Sequence, residues 1–324
     1  MIIYRGRNLY DYYVAVLKGA LIYIVDLLLI VLPAFIIFGA GYIGQKLLRL
    51  DIKSVSTMAL YLMLPFLTFD TFYSNELNME YLYMFILSIL LTIVLIIITF
   101  IVGKMIKADK AHMSAIMLGT VFPNSGNYGA PIALFAFGAT AFNYAIIIMI
   151  IHSLIQTTIG IFIASYGSER STTIKEALMN VIKMPVLYGV VLGILFQLLH
   201  IELPPTIIEG VSLLGAASIP TVMLILGMQL TEIKSQKFDY KYINAVTGIR
   251  MIISPLAAVL LVSFFPINDL LKNVFILLAA MPVAVNTTIL AVQFDTKPNF
   301  VSLTTLITTL VSLVTIPLTL YLLQ

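Results

Sequence analysis

The most irregular part of this sequence reads Phe122-Pro123-Asn124-Ser125-Gly126-Asn127-Tyr128-Gly129-Ala130-Pro131. It lies inside a long apolar segment, yet it contains two prolines, two glycines, two asparagines and a serine. Proline removes a backbone donor and clashes with the preceding turn, and glycine adds flexibility, so a continuous helix is not expected here. A kink packed by neighbouring helices is the alternative. The density of polar and helix-breaking residues favours a true break.

The composition of the whole chain is that of a membrane protein. Of its 324 residues, 61% are hydrophobic and 10% are charged, whereas soluble domains carry about 25% charged residues. Long apolar segments recur and predict transmembrane α-helices, not the alternating strands of a membrane barrel. A soluble fold would expose more apolar surface than a monomer tolerates. The chain has no cysteine, which excludes disulfides and thiolate chemistry.

Ten apolar segments can be drawn along the chain, and they are numbered 1 to 10 here. Segment 6 is short for a full span at a rise of about 1.5 Å per residue, so it is expected to borrow residues from either side. We predict an all-α polytopic membrane protein with ten transmembrane helices. The approximate bounds are 23–47, 54–73, 81–103, 111–138, 142–166, 185–199, 207–230, 243–265, 270–295 and 301–323.

Basic residues are distributed unevenly among the loops. The loops after odd-numbered segments hold thirteen Lys and Arg residues, and the loops after even-numbered segments hold one, Lys272. By the positive-inside rule, loops 1–2, 3–4, 5–6, 7–8 and 9–10 are cytoplasmic and both termini lie outside, in a plasma-membrane protein. Arg5, Arg7 and Lys18 in the tail of residues 1–22 disagree with this orientation. An interfacial helix or an extra segment there is the alternative, since the tail does not resemble a cleavable signal peptide.

Loop 5–6 has structure of its own. Thr173 and Glu176 fit a capping box, and the apolar residues that follow fall on one helical face. This pattern predicts a short amphipathic helix over 171–184, within a linker of residues 169–184. We expect it to lie on the cytoplasmic membrane surface.

The linker joins two halves of the same organisation, residues 23–168 and 185–324. An offset of 159 positions places segments 1–5 on segments 6–10 and Pro123 on Pro282. Because five is odd, the second half must enter the membrane from the opposite face. We therefore predict a 5+5 inverted repeat, which is typical of secondary transporters.

The second break lies in segment 9 and reads Met281-Pro282-Val283-Ala284-Val285-Asn286-Thr287-Thr288. Paired interrupted segments point to a transporter's binding site. Each break leaves a half-helix N-terminus with free N–H groups and about half a positive charge, which suits a carboxylate. Neither break holds an acidic residue, which argues against a cation site. The predicted substrate-binding residues are Pro123, Asn124, Ser125, Gly126, Asn127, Gly129, Pro131, Pro282, Asn286, Thr287 and Thr288.

Ionisable residues within the segments are further candidates. Asp70 and His152 are candidates for a proton or charge role, with a solvated carboxylate and a packing histidine as the alternatives. Arg250 is either an anion counter-charge or a side chain that snorkels to the surface. Gln156 and Gln229 are candidates to line the pathway.

The first break resembles the Asn-x-Gly-Asn-x-Gly-x-Pro signature of the auxin efflux carrier family. It matches at Asn124, Gly126, Asn127, Gly129 and Pro131, and the resemblance covers roughly residues 24–324. It implies a ten-helix, five-plus-five fold in which helices 4 and 9 are broken and cross at the substrate site, as in the related bile acid sodium symporters. It also implies an elevator-like motion. Other stretches similar to the family are Leu64-Pro65, Ala280-Met281-Pro282 and Gly39, Gly41 and Tyr42.

The same resemblance implies a class of substrate. The family includes plant auxin exporters and prokaryotic carriers of malonate, malate and similar carboxylates. This chain lacks the long central hydrophilic loop of the plant carriers and is similar to the short prokaryotic branch. Glu76 matches an acidic residue that the plant carriers have just past helix 2, so it is another candidate for a charge role.

We therefore expect a secondary transporter that moves a small organic anion by elevator-like alternating access. A sodium- or proton-coupled symporter of a larger amphipathic solute and a non-transporting sensor are the alternatives. The expected partners are the anion, the lipid bilayer and a second copy in a homodimer; the net charge of +3 gives no sign of nucleic-acid binding. No cofactor, metal site or enzyme activity is expected, although Ser125 and His152 could form a Ser/His pair.

Overall fold

The computed structural model describes residues 29, 31–76, 78–169, 172–231 and 240–323. The tail of residues 1–22, for which an interfacial helix or an extra segment is the alternative, lies outside these residues, as does most of loop 7–8. The helices used below are numbered in chain order. They are α1 Val31–Leu48, α2 Ile52–Ser74, α3 Met79–Met105, α4 Lys110–Val121, α5 Ala130–Phe137, α6 Ala139–Tyr166, α7 Ile174–Ile182, α8 Pro185–Leu198, α9 Pro205–Gln229, α10 Tyr240–Val262, α11 Asp269–Ala279, α12 Asn286–Gln293 and α13 Pro298–Leu322.

The described part of the chain is helical and apolar enough to cross a membrane several times. Seven helices have the required length and composition, namely α1, α2, α3, α6, α9, α10 and α13. An eighth candidate is the pair α7 and α8, which is bent by 64°. The predicted segments 4 and 9 are each divided into two helices of 8 to 12 residues, which are too short to span alone. The kink considered for segment 4 is therefore wrong.

Polar side chains cap the helices where the chain turns. The carboxylate of Asp109 accepts a hydrogen bond of 2.8 Å from the His112 N–H at the start of α4, and Asn268 caps α11 in the same way. The capping box predicted from Thr173 and Glu176 is present at α7. These caps satisfy N–H groups that a helix cannot satisfy internally, and so they set where each helix begins.

Two prolines inside long helices are accommodated by a wider, π-type turn just before them. The turn Ala59–Met63 precedes Pro65 in α2, and the turn Ile249–Ile253 precedes Pro255 in α10. Because proline lacks an N–H and crowds the carbonyl of the preceding turn, a wider turn relieves the clash without ending the helix. Segments 2 and 8 therefore stay continuous.

The helices pack in two groups. The first group is α1, α2, α8 and α9, in which backbones approach closely at glycines. A Cβ atom at Gly189 of α8 would overlap the carbonyl of Pro65 in α2, and one at Gly227 of α9 would overlap the carbonyl of Phe38 in α1. Small residues at helix contacts permit such approach within a membrane.

The second group is α3 to α6 together with α10 to α13. Hydroxyl hydrogen bonds join its helices: Thr99 to Thr120, at 2.8 Å, links α3 to α4, and Ser114 donates to the Ile163 carbonyl of α6 at 2.6 Å. The helix α11 is buried along most of its length. This group carries both breaks.

Candidate functional site

The two breaks lie against each other and exchange backbone hydrogen bonds. The Asn124 N–H donates to the Pro282 carbonyl at 2.8 Å, and the Ala284 N–H donates to the Phe122 carbonyl at 3.0 Å. They form a short antiparallel bridge between the chains of segments 4 and 9. Because proline has no N–H, the donors of this bridge are Asn124 and Ala284, while the Pro282 carbonyl acts as an acceptor.

Arg250 of α10 caps the half-helices that lead into both breaks. It is fully buried, so it does not snorkel to the surface. Its guanidinium donates to the Thr120 carbonyl of α4 at 2.9 Å, to the Ala279 carbonyl of α11, and to the Ser254 hydroxyl at 2.5 Å. Carbonyls in the last turn of a helix have no partner within that helix. One side chain thus donates hydrogen bonds to carbonyls at the C-terminal ends of both α4 and α11.

The first break continues as one wide turn, Ser125–Gly129, before α5 begins. The Ser125 hydroxyl lies 2.7 Å from His152 Nδ1 on α6, and both residues are buried. None of the described acidic residues hydrogen-bonds to His152, so this pair lacks the orienting carboxylate of a catalytic triad. The hydrogen bond instead ties the break to α6.

Tyr128 holds the same turn against both helix groups. Its ring makes edge-on contacts with Phe35 and Phe38 of α1, at centroid distances of 5.9 and 5.1 Å. Its hydroxyl lies 2.9 Å from the Ser312 hydroxyl of α13. Tyr128 therefore sits at the boundary between the first and the second group.

A cavity of about 490 Å³ opens at the crossing of the breaks. Its lining includes one Lys and one His, and no Asp or Glu of the described residues. Two of its side-chain nitrogens, Asn124 Nδ2 and Gln156 Nε2, are buried without a hydrogen-bond partner, which is costly unless a ligand supplies one. The polar lining is Tyr61, Asn124, Ser125, Asn127, His152, Ser153, Gln156, Thr157, Asn180, Lys183, Asn286 and Gln293.

A second cavity, of about 510 Å³, meets the first at the breaks. Leu60, Asn127 and Asn286 line both cavities. The second cavity also reaches Asp51 and Lys53 at the start of α2, while the first reaches Lys183 at the end of the linker. Both cavities therefore extend from the breaks toward loops that carry basic residues.

Most of the predicted break residues line these cavities, and four do not. Pro131 lines only a small pocket of about 20 Å³. Gly129 packs against α11, the carbonyl of Pro282 is used in the pairing of the breaks, and the Thr287 hydroxyl donates to the Ala284 carbonyl at 2.7 Å. The residues that line one or both of the large cavities are Pro123, Asn124, Ser125, Gly126, Asn127, Asn286 and Thr288.

The two acidic candidates lie away from the breaks. Asp70 accepts a hydrogen bond of 2.7 Å from the Ser212 hydroxyl, between α2 and α9 of the first group. Glu76 is exposed between α2 and α3. Neither lines the cavities described above.

Sequence reasoning missed several lining residues. Gln156 and Gln229 were candidates and line the first and second cavity respectively. Tyr61, Ser153 and Lys183 were not singled out, although Lys183 stands directly before segment 6 at the end of an amphipathic helix. That position could have suggested Lys183 as a lining residue, because the linker joins the two halves and the breaks of these halves meet at the cavity.

Comparisons with known proteins identify the family of this chain. A family model described as "Membrane transport protein" matches residues 22–320. An uncharacterized transporter of Methanocaldococcus jannaschii is 27% identical over 304 residues, which is 90% of this chain and 96% of that protein. One of Methanothermobacter thermautotrophicus is 26% identical over 306 residues, with 91% and 95% covered. The chain is a multi-pass membrane protein and belongs to the membrane transport protein family, the auxin efflux carrier family whose signature its first break resembles.

Proposed function

We propose that this protein is a secondary transporter of a small organic anion of the carboxylate class, which it binds where the two breaks meet. The observation that carries the proposal is the polar lining of the first cavity. This lining includes Lys183, His152 and several side-chain amides, and it includes no acidic side chain of the described residues. Carboxylates favour such donors. Gly126 and Asn127 add first-turn amides of the kind that bind anions.

The size and lining of the first cavity suit a small amphipathic anion. Its volume of about 490 Å³ falls within the range of about 300–1,000 Å³ found for small-molecule sites. Leu60, Leu64 and Met149 form an apolar wall beside the polar residues of the break. This arrangement supports a substrate with a carboxylate head and a short apolar body.

The packing of the helices supports ten segments in a 5+5 inverted repeat. In such a repeat α1 corresponds to α8 and α2 corresponds to α9. A contact of α1 with α9 should therefore be matched by a contact of α8 with α2, and both contacts occur. Likewise, α4 corresponds to α11 and α6 corresponds to α13. The contact of α4 with α13 should be matched by a contact of α11 with α6, and both contacts again occur. Such pairs are expected of halves related by an axis in the membrane plane.

We further propose that the second helix group moves against the first in an elevator-like motion. The breaks belong to the second group, and α1, α2, α8 and α9 form a scaffold. The positive-inside rule assigns the basic loops near Lys53 and Lys183 to the cytoplasm, so the two cavities correspond to a state open to the cytoplasm. Both termini then lie on the outer side of the plasma membrane.

The membrane potential favours one direction of transport. A potential that is negative inside contributes about 2.3 kcal/mol per charge per 100 mV to the outward movement of an anion. Export therefore needs no coupling ion, whereas import would need symported protons or sodium ions.

The test is counterflow in proteoliposomes, with labelled malonate and phenylacetate as probes against a panel of mono- and dicarboxylates inside. We expect label to accumulate only when a transported carboxylate is present on the inside. Dependence of the flux on sodium or on a pH gradient would identify the symporter alternative. An absence of counterflow for every carboxylate, with protein that elutes as a single folded species, would refute the proposal.

A further inference from the structure

Four helix ends meet at the crossing of the breaks. The C-termini of α4 and α11 arrive there, and the N-termini of α5 and α12 leave it. Each C-terminus carries about half a negative charge, and each N-terminus about half a positive charge. These four partial charges would cancel, so a crossing without any other charge would favour neither cations nor anions.

Arg250 contacts only the negative pair of ends. Its guanidinium donates to the Thr120 and Val121 carbonyls at the end of α4 and to the Ala279 carbonyl at the end of α11. It is fully buried, forms no ion pair with an acidic residue of the described chain, and lines neither large cavity. Its single positive charge therefore balances two half-charges of about −0.5 each.

We infer that Arg250 makes the substrate site anion-selective by neutralising the C-termini of α4 and α11, which leaves the N-termini of α5 and α12 as a net positive charge beside the cavity. This inference deepens the proposed function and rests on it. Arg250 is a positioning residue, because it acts through the helix ends and does not contact the substrate. The helix ends behind the site then act together with the lining of the first cavity, in which Lys183 adds a positive charge and no described acidic residue opposes it.

Ser254 provides a matched control for the charge. Its hydroxyl donates to the same Ala279 carbonyl at 2.8 Å, and it is buried as Arg250 is. Replacement of Ser254 by Ala removes a cap from the end of α11 but removes no charge. The two variants thus separate capping from charge compensation.

A thiol placed at the crossing reports the local charge without any substrate. The chain has no cysteine, so Asn286→Cys introduces one thiol at a position that lines both cavities. Only the thiolate reacts with a neutral alkylating reagent, and the rate against pH gives the midpoint of its ionisation. We expect a midpoint below the ordinary value of about 8.5, and a rise of about one pH unit when Arg250→Gln is added.

The same titration contains its own controls. Arg250→Lys keeps the charge and Ser254→Ala keeps the guanidinium, so both should retain the low midpoint. An unchanged midpoint in Arg250→Gln would overturn the inference. A midpoint at or above about 8.5 with Arg250 in place would also overturn it, and this criterion decides the matter even where Arg250→Gln fails to fold.

Binding of a charged and an uncharged probe supplies the second readout. We expect Arg250→Gln to weaken the binding of phenylacetate by about tenfold, which matches the change of about one pH unit expected at the thiol, and to leave the binding of phenylacetamide nearly unchanged. An equal loss for both probes would mean a merely structural role and would overturn the inference. Failure of the unmodified protein to bind any carboxylate would count against the proposed function, whereas the thiol titration would still decide on Arg250.

Discussion

At the scale of single residues, Asn127 is the most informative position of the breaks. It lines both large cavities and the small pocket beside Pro131, and it lies in the wide turn Ser125–Gly129 that precedes α5. An amide side chain offers both a donor and an acceptor, so it can meet a carboxylate directly or through water. No other break residue borders all three spaces.

The first prediction concerns this amide. Asn127→Ala should lower the affinity for a transported carboxylate by about 10- to 100-fold, because a hydrogen bond to a charged group contributes about 1.5–3 kcal/mol. Counterflow and a ligand-induced shift of the unfolding temperature measure it. The control is Asn273→Ala, which removes the same side chain from α11 outside the cavities. Normal flux in Asn127→Ala would remove this residue from the site.

Asp109 allows a second prediction, on stability and pH. The hydrogen bond from the His112 N–H, together with one from the His112 ring, lowers the pKa of Asp109 from its usual value of 3.8. Because the pKa is lower in the folded state, the carboxylate stabilises the fold above about pH 3.8 and loses this effect as the pH falls through the folded-state value. Asp109→Ala should therefore cost about 1 kcal/mol at neutral pH.

Unfolding of the purified protein in denaturant at several pH values measures that cost. The difference between the unmodified protein and Asp109→Ala should shrink as the pH falls below about 4. Asp109→Asn is the matched control, because it keeps the capping oxygen and loses only the charge. A difference that stayed constant with pH would contradict the role of the carboxylate.

At the scale of helices, the close packing of α9 on α1 depends on glycines in both helices: Gly227 of α9, and Gly41 of α1, where a Cβ atom would overlap the Leu224 carbonyl. A Cβ atom at Gly227 would overlap the Phe38 carbonyl, whereas one at Gly210 of the same helix meets nothing within 4 Å. Backbone cannot yield as a flexible side chain can, so the two helices would have to separate. Alanine variants at Gly227 and Gly210 therefore separate the effect of packing on stability from the effect of helix propensity.

The third prediction compares these two glycines. Gly227→Ala should destabilise the protein by about 1–3 kcal/mol, as overpacking of a tight contact does. Gly210→Ala should be neutral or stabilising by up to about 1 kcal/mol, since Ala favours the helix. Thermal unfolding in detergent measures both. Equal behaviour of the two variants would show that α1 and α9 are not in close contact.

At the scale of the whole molecule, the boundary between the two helix groups decides whether the carrier can move. Asn143 of α6 donates to the Asn75 side chain at the end of α2 at 3.1 Å, which bridges the second and the first group. Tyr144 donates to Glu80 at 2.7 Å, and both of these residues belong to the second group. One pair thus crosses the boundary, and its neighbour does not.

The fourth prediction uses these pairs in a chain without cysteine. Cross-linking of the double variant Asn75→Cys and Asn143→Cys should abolish counterflow and leave ligand binding intact, because the groups can no longer slide. Cross-linking of Glu80→Cys and Tyr144→Cys should leave transport largely unchanged. Flux measured before and after reduction or reversal of the cross-link provides the internal reference. Full transport by the completely cross-linked first pair would exclude motion between the groups.

The break itself could be predicted because its cause is local. Proline at 123 and 282 lacks an N–H wherever the chain lies, and glycine and asparagine beside the first proline weaken the helix further. The capping box of α7 is local in the same sense. Thr287 shows the limit of such reasoning, since its hydroxyl donates to the Ala284 carbonyl and does not line either large cavity.

Hydropathy and proline act within a few residues, so the amino-acid sequence is sufficient to indicate repeated membrane crossings and two interrupted segments. The side chains near the crossing of the breaks come from distant parts of the chain, and they are known only from the folded structure. Arg250 meets carbonyls 130 and 29 positions away in the chain, and Lys183 reaches the cavity from the linker. A buried charge is tolerated only where folding brings it to enough acceptors, and no pattern within one segment carries that information.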